Sequence, residues 1–214
     1  MIDASLEVDG VIAEIDGELS EISEIRANLE SRRDKVMTLN AIGGIITGGG
    51  LGVVGTALQF KASTANLGNG IGVASGAASI VLSVLGIHQQ KGGKGSLGIA
   101  PNMLAKFFDK KPEFHSDYPQ EVWVYLTDVP PTATDKHTRK DDLIARCVDR
   151  GHIDSPSSAK GQKQIDLMTS STSSKQKLSL DQLADRSAML SDVRASTSLL
   201  KRDLSKLMLA IRTI

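Results

Sequence analysis

Residues 39–87 read LNAIGGIITGGGLGVVGTALQFKASTANLGNGIGVASGAASIVLSVLGI, and this stretch decides the fold that the sequence predicts. It carries a single charge, Lys61, and no Asp or Glu occurs between Asp34 and Asp109. The sequence on either side has an ordinary charged composition. The stretch is therefore suited to an apolar environment, which is either a lipid bilayer or a protein core.

This stretch divides into two apolar arms joined by a short polar segment. Residues 39–60 and residues 67–87 each contain nine large apolar side chains, and residues 61–66 connect them. Arms of 22 and 21 residues are long enough to cross a bilayer as helices. The pattern predicts a helical hairpin with Lys61 at its tip.

Glycine recurs every fourth residue in both arms. A glycine inside a helix costs about 1 kcal/mol relative to alanine, so the seven glycines of the first arm would destabilise an isolated helix. Small residues four apart let two helices approach closely, as they do in helix pairs in lipid. We therefore predict close helix contact at Gly44, Gly48, Gly52, Gly68, Gly72 and Gly76.

The charges around the hairpin favour both of its ends on one side of a membrane. Three basic residues in the segment 32–35 precede it and two in the segment 91–94 follow it, whereas the tip holds only Lys61. The positive-inside rule would place that tip across the bilayer. Two alternatives remain open: the hairpin is the buried core of a soluble bundle, or it is a constitutive pair of membrane spans.

Residues 8–39 have the heptad pattern of a long amphipathic helix. Large apolar residues recur every seven positions from Val8 to Val36, and Glu18 and Arg32 interrupt the second row of the seam. Such a helix serves assembly or partner binding, or it packs on the C-terminal helix of the same chain.

A second long helix is predicted from Ser179, where Gln182 completes a capping box, and its apolar residues again recur every seven positions from Leu183 to Ile211. The predicted parts are an N-terminal heptad helix (1–38), the hairpin (39–90), a small mixed or helical subdomain (97–154), a Ser-rich linker (155–178) and a C-terminal heptad helix (179–214).

Most aromatic residues lie within residues 97–129, which we expect to form a small core against the helices; an aromatic belt at a membrane surface is the alternative. Residues 119–126 fit either a helix started by proline or a strand, and we favour the helix. Further on, Thr138 and Asp141 form a variant capping box, and Gly151 is placed to end that short helix.

Composition and motifs argue against several functions. The chain has 25 basic and 25 acidic residues, which does not favour nucleic acid as a partner. The four histidines show no metal-ligand spacing with one another or with Cys147, the only cysteine. Cys147 and His152 could be taken for a nucleophile pair, but the apolar face on which Cys147 lies favours a core role.

Two glycine-rich segments resemble nucleotide-binding motifs but do not match them in full. Residues 50–55 match the dinucleotide fingerprint, but no acidic residue follows before Asp109 to hold a ribose. Gly93 and Lys94 invite comparison with a phosphate-binding loop, but His88 stands where that motif needs a glycine and Gly95 where it needs Ser or Thr. We expect no catalytic, cofactor-binding or metal site, no cofactor and no enzyme activity.

In its order of elements, with an apolar hairpin between long helices, the chain resembles α-helical pore-forming toxins. The spacing Gly44, Gly48, Gly52 and its repeat from Gly68 also looks like the membrane-inserting region of apolipoprotein L and the hydrophobic hairpins of secretion-system translocators. The resemblance implies a hairpin that is packed away in the soluble form and inserts on assembly.

We therefore expect an all-α, elongated helical bundle that interacts with membranes through its hairpin. Its partners would be membrane lipid, a second copy of the chain or a helical protein. The soluble structural or interaction module is the alternative. Residues 1–16 are acidic and amphipathic, so no secretory signal is predicted, and the compartment stays open.

Overall fold

A computed structural model describes residues 2–44, 95–96, 101–131, 133–171 and 177–212. These residues are mostly helical, so the predicted all-α class is confirmed. The elements are α1 (Ile2–Gly44), β1 (Gly95–Ser96), α2 (Gln120–Thr127), α3 (Arg139–Asp149), α4 (Ala159–Met168), β2 (Lys177–Leu178) and α5 (Leu180–Arg212), with 3-10 turns at Lys106–Phe108 and Phe114–Ser116.

The chain forms two compact units. One consists of Met1–Arg26 and Gly95–Ile214, and the other of Ala27–Lys94. Helix α1 contributes to both and continues without a break into the first predicted hairpin arm, and its sequence contains no proline that would interrupt it. The expected boundary between residues 38 and 39 therefore lies inside a helix.

In the unit formed by Ala27–Lys94, the structure describes residues 27–44, the end of α1. Arg33 and Asp34 form an exposed ion pair with 3.3 Å between Nε and Oδ1. The Thr38 hydroxyl donates to the Asp34 carbonyl at 2.8 Å, which is the usual way for a threonine inside a helix to satisfy its hydroxyl.

In the larger unit, two ion pairs join the first part of α1 to α5. Lys201 Nζ donates to Asp9 Oδ1 at 2.6 Å, and Arg194 Nη2 donates to Asp16 Oδ2 at 2.9 Å. Seven residues forward along α1 thus correspond to seven residues backward along α5, so these helices run antiparallel. Exposed pairs of this kind stabilise a protein by only about 0–1 kcal/mol each.

Most of the stability of this unit must come from its apolar core. The core draws on α1, on the residues around the first 3-10 turn, and on α2, α3, α4 and α5. Helices α2 and α3 contact each other, and both contact α5. The largest fully buried side chains include Ile15, Ile22, Met103, Leu104, Phe107, Leu126, Leu143, Ile165, Leu183 and Met189.

The aromatic residues form a small cluster in this core. Phe107 meets Tyr118 and Trp123 edge to face, with ring centroids 5.5 and 5.8 Å apart, which is the arrangement that ring quadrupoles favour. The Tyr118 hydroxyl donates to the Met103 carbonyl at 2.8 Å. Phe114 lies outside this cluster and is 92% exposed.

Helix α3 has the two ends that the sequence predicts. At its start the Asp141 N–H donates to the Thr138 hydroxyl and the Thr138 N–H donates to the Asp141 carboxylate. At its end Gly151 has a φ of 76°, the His152 N–H donates to Cys147 and the Gly151 N–H donates to Val148. This pair of bonds is a Schellman motif, which needs a residue in the left-handed conformation.

Residues 155–178 differ from the expected linker. Helix α4 occupies part of this segment, is capped at its start by the Ser158 side chain and buries Ile165 and Met168. The segment ends in β2, which pairs antiparallel with β1, so that Gly95 lies opposite Leu178. Two apolar residues one turn apart are a weak sequence signal, and packing against the rest of the unit fixes the helix.

Candidate functional site

The sequence-predicted site lies almost wholly outside the described residues. Gly44 is the last residue of α1. The other predicted residues, Gly48, Gly52, Lys61, Gly68, Gly72 and Gly76, lie beyond the residues that the structure describes, so contact between the two arms stays a prediction. Among the helices described, none combines the length and apolarity that a bilayer crossing requires.

The structure reveals a charged cavity in the larger unit that the sequence did not predict. Its volume is about 150 Å³. Helix α1 supplies three carboxylates, helix α5 supplies one arginine, and the loop segments around the 3-10 turns supply the rest. The lining residues are Glu14, Glu18, Glu21, Pro101, Asn102, His115, Ser116 and Arg186.

Glu18 is the most perturbed acid in this cavity. Its Oε1 accepts the Met103 N–H at 2.9 Å, whereas its Oε2 is buried and finds no hydrogen-bond partner in the described residues. Burial disfavours the charged form and is the main reason why the pKa of Glu18 is raised to about 7. The hydrogen bond from the Met103 N–H and the charge of Arg186 lower the pKa, whereas repulsion from Glu14 and Glu21 raises it further.

Arg186 projects from α5 into the same region and is only 4% exposed. Its Nη1 donates to the Ser170 hydroxyl at 2.9 Å, and its buried Nε has no acceptor among the residues described. Burial lowers the pKa of the guanidinium, and the charges of Glu18 and Glu21 counteract that effect. The two buried groups of opposite charge thus sit in one cavity with incomplete hydrogen bonding.

Asn102 fixes the wall of the cavity that faces Glu18. Its side-chain amide donates to the Met168 carbonyl at 2.7 Å, and its side-chain oxygen accepts the Leu104 N–H at 3.1 Å. Its own N–H donates to the Thr169 carbonyl at 3.2 Å. These bonds hold the backbone on both sides of Met103, so the N–H that binds Glu18 has a defined position.

The sequence contains a signal for this site, although a weak one. Glu18 follows Ile15 by three residues and Arg186 follows Leu183 by three, so each charge occupies a position that the heptad pattern reserves for an apolar residue. A charged residue at such a position is a candidate for burial. Its partners, however, lie 85 residues away at Met103 and on another helix, and the spacing does not identify them.

The Cys147 thiol is buried. Burial is the main cause that raises its pKa to about 11, so almost none of it is thiolate at neutral pH. The ring of His152 lies 2.9 Å from Asp185, measured from Nδ1 to Oδ1. In the described part of the chain, no group of three or more His, Cys, Asp or Glu residues is arranged to hold a metal ion.

The chemistry available in the cavity is therefore the binding and release of a proton near neutral pH. Comparison with known proteins adds no functional information, because no protein-family model, curated protein or solved structure matches the chain.

Proposed function

We propose that this chain is a membrane-interacting helical protein whose residues 39–87 insert into a bilayer as a helical hairpin, in a pore-forming or translocator-like role. The observation that carries the proposal is the unbroken course of α1 to Gly44. Residues 39–44, the start of the first arm, are thus helical, and the uncharged glycine-spaced sequence follows directly.

The two long helices have a separate part in the proposal. Within the larger unit, α1 and α5 run antiparallel and are joined through Asp9 and Asp16. We propose that they form a stalk that presents the hairpin and assembles with a second copy or with a helical partner. No catalytic role is proposed, since the thiol of Cys147 is buried and its pKa is raised.

A second candidate is a soluble interaction module in which the hairpin is part of a protein core. The exposed apolar residues at the end of α5 favour it, because Leu207 and Ile211 are each 50% exposed on the helix face that the heptad pattern predicts to be covered. A helical partner protein would cover that face. A constitutive pair of membrane spans is a third candidate, and it rests on the length of the two arms alone.

Flotation with liposomes separates these functions. The purified full chain is mixed with vesicles of phosphatidylcholine and phosphatidylserine and centrifuged through a density gradient. Hairpin insertion predicts a protein that is purified without detergent and floats with the vesicles. A monodisperse protein that never floats supports the interaction module, and a protein that can be purified only in detergent supports the constitutive spans.

Substitution of the spaced glycines tests the hairpin itself. Gly48→Leu combined with Gly72→Leu should abolish flotation, because a large side chain would hold the two helices apart. The matched control is Gly50→Leu with Gly70→Leu, which adds the same volume about 200° around each helix. Equal flotation of both double variants would show that the arms do not meet at the predicted face.

A further inference from the structure

One contact of α1 within the larger unit is made by a carboxyl that is poorly suited to be charged. Glu18 makes one hydrogen bond to the unit, at 2.9 Å from the Met103 N–H, and its second oxygen is enclosed without a partner in the described residues. A neutral carboxylic acid tolerates such an environment, whereas a carboxylate loses the hydration that water would give it.

The hydrogen bond from the Met103 N–H and the charge of Arg186 favour the ionised form of Glu18, but they do not outweigh its burial. From its own helix, Glu14 and Glu21 repel a negative charge. From α5, Arg186 attracts it, but one guanidinium nitrogen is already bound to Ser170. His115 lines the same cavity from the second 3-10 turn. The charge of Glu18 also helps to raise the pKa of Tyr118, after the larger effect of that residue's burial.

A second acid of α1 also has a raised pKa. Interaction with the carboxyl of Glu121 on α2 is the main cause that raises the pKa of Glu7, and burial and the negative charges of Glu121 and Asp3 add to it. Two side chains that face the rest of the unit from α1, eleven residues apart, thus favour the protonated form.

We propose that Glu18 is a proton-controlled latch, in which the protonated carboxyl holds the first part of α1 against the segment around Met103 and loss of the proton loosens that part of the helix. The latch concerns the larger unit alone. It does not depend on the membrane role proposed above, and either can fail without the other.

Hydrogen exchange of the full-length protein tests the latch. Protection factors of the α1 amides from Val8 to Ile25, corrected for intrinsic exchange, are measured at pH 5.5 and pH 8. With a pKa that moves from 4.5 when exposed to about 7 when buried, α1 should lose about 30-fold in protection between these values. Amides of α3 serve as the internal reference and should change much less.

Two variants show whether Glu18 is the cause. Glu18→Gln keeps the shape and the acceptor for the Met103 N–H but cannot ionise, so most of the pH dependence of α1 protection should be lost, and only the smaller part due to Glu7 should remain. Glu24→Gln removes an exposed acid from the same helix and should behave as the wild type. The latch is wrong if Glu18→Gln retains the wild-type pH dependence or if wild-type protection does not fall.

A titration of the wild-type protein keeps the test decisive if Glu18→Gln does not fold. The carboxyl carbon resonance of Glu18, followed by NMR in protein with labelled glutamate, should titrate with a midpoint near 7. A midpoint at the ordinary value for an exposed glutamate would overturn the proposal.

Discussion

Gly161 lies in the first turn of α4, where this helix passes close to the loop before it. A Cβ atom at this residue would lie 2.1 Å from the backbone oxygen of Ser155 and 2.9 Å from that of Asp154. The Gly161 N–H also donates to the Ser158 hydroxyl at 2.9 Å, which fixes the start of the helix. Glycine is therefore required here because there is no room for a side chain, and not because of the backbone conformation.

Gly161→Ala should lower the free energy of unfolding by about 2 kcal/mol, because backbone atoms must move to admit the methyl group. Gly17→Ala is the matched control, since Gly17 is an exposed residue inside α1 with nothing within 4 Å of the added Cβ. That control should stabilise the protein by about 0.5–1 kcal/mol. Urea unfolding measures both, and a shift of both midpoints in the same direction would contradict the argument.

At the scale of the element, the start of α3 depends on one hydroxyl. Thr138→Ala removes the acceptor for the Asp141 N–H and should cost about 1 kcal/mol of stability. Thr138→Ser keeps the hydroxyl and should remain close to the wild type. The urea midpoints of the two variants give the comparison. If Thr138→Ala and Thr138→Ser unfold alike, the hydroxyl does not stabilise the helix.

Elements whose ends depend on local chemistry could be predicted from the sequence. The reciprocal bonds between Thr138 and Asp141 and the left-handed Gly151 delimit α3 as expected, and the Ser179 and Gln182 pair starts α5. Helix α4 was missed because its polar composition resembles a linker. Its stability comes from contacts that Ile165 and Met168 make only in the folded unit.

The cavity could be predicted only in part, for a similar reason. The heptad pattern shows that Glu18 breaks an apolar seam, and it says no more than that. Whether such a charge points to water or into a core depends on which segment covers it. Here the cover is the chain around Met103, which the Asn102 hydrogen bonds hold in place. No local pattern encodes that contact.

At the scale of the whole molecule, two kinds of acidic group change the stability of the folded protein in opposite directions as pH rises. Hydrogen bonds from Arg194 and Lys106 lower the pKa values of Asp16 and Asp117, so their contributions to stability are present above about pH 4 and are lost as pH falls. The contribution of Glu18 to stability changes with pH in the opposite direction. Its pKa is raised, so its contribution is present below pH 4.5 and is lost as pH rises to about 7.

The stability of the protein should therefore be greatest near pH 5 and should fall by about 3 kcal/mol towards pH 8, because each tenfold change in the proton affinity of Glu18 corresponds to about 1.4 kcal/mol. Since the chain has equal numbers of acidic and basic residues, general charge repulsion near neutral pH is small and does not mask this effect.

Urea unfolding across pH 3 to 8 measures how the stability of the protein depends on pH. In Glu18→Gln the decline above pH 5 should become much smaller, with Glu7 as the remaining contributor, while the decline in acid remains because Asp16 and Asp117 still lose their ion pairs there. A wild-type midpoint that keeps rising to pH 8 would show that the Glu18 carboxyl is charged in the folded protein at little cost.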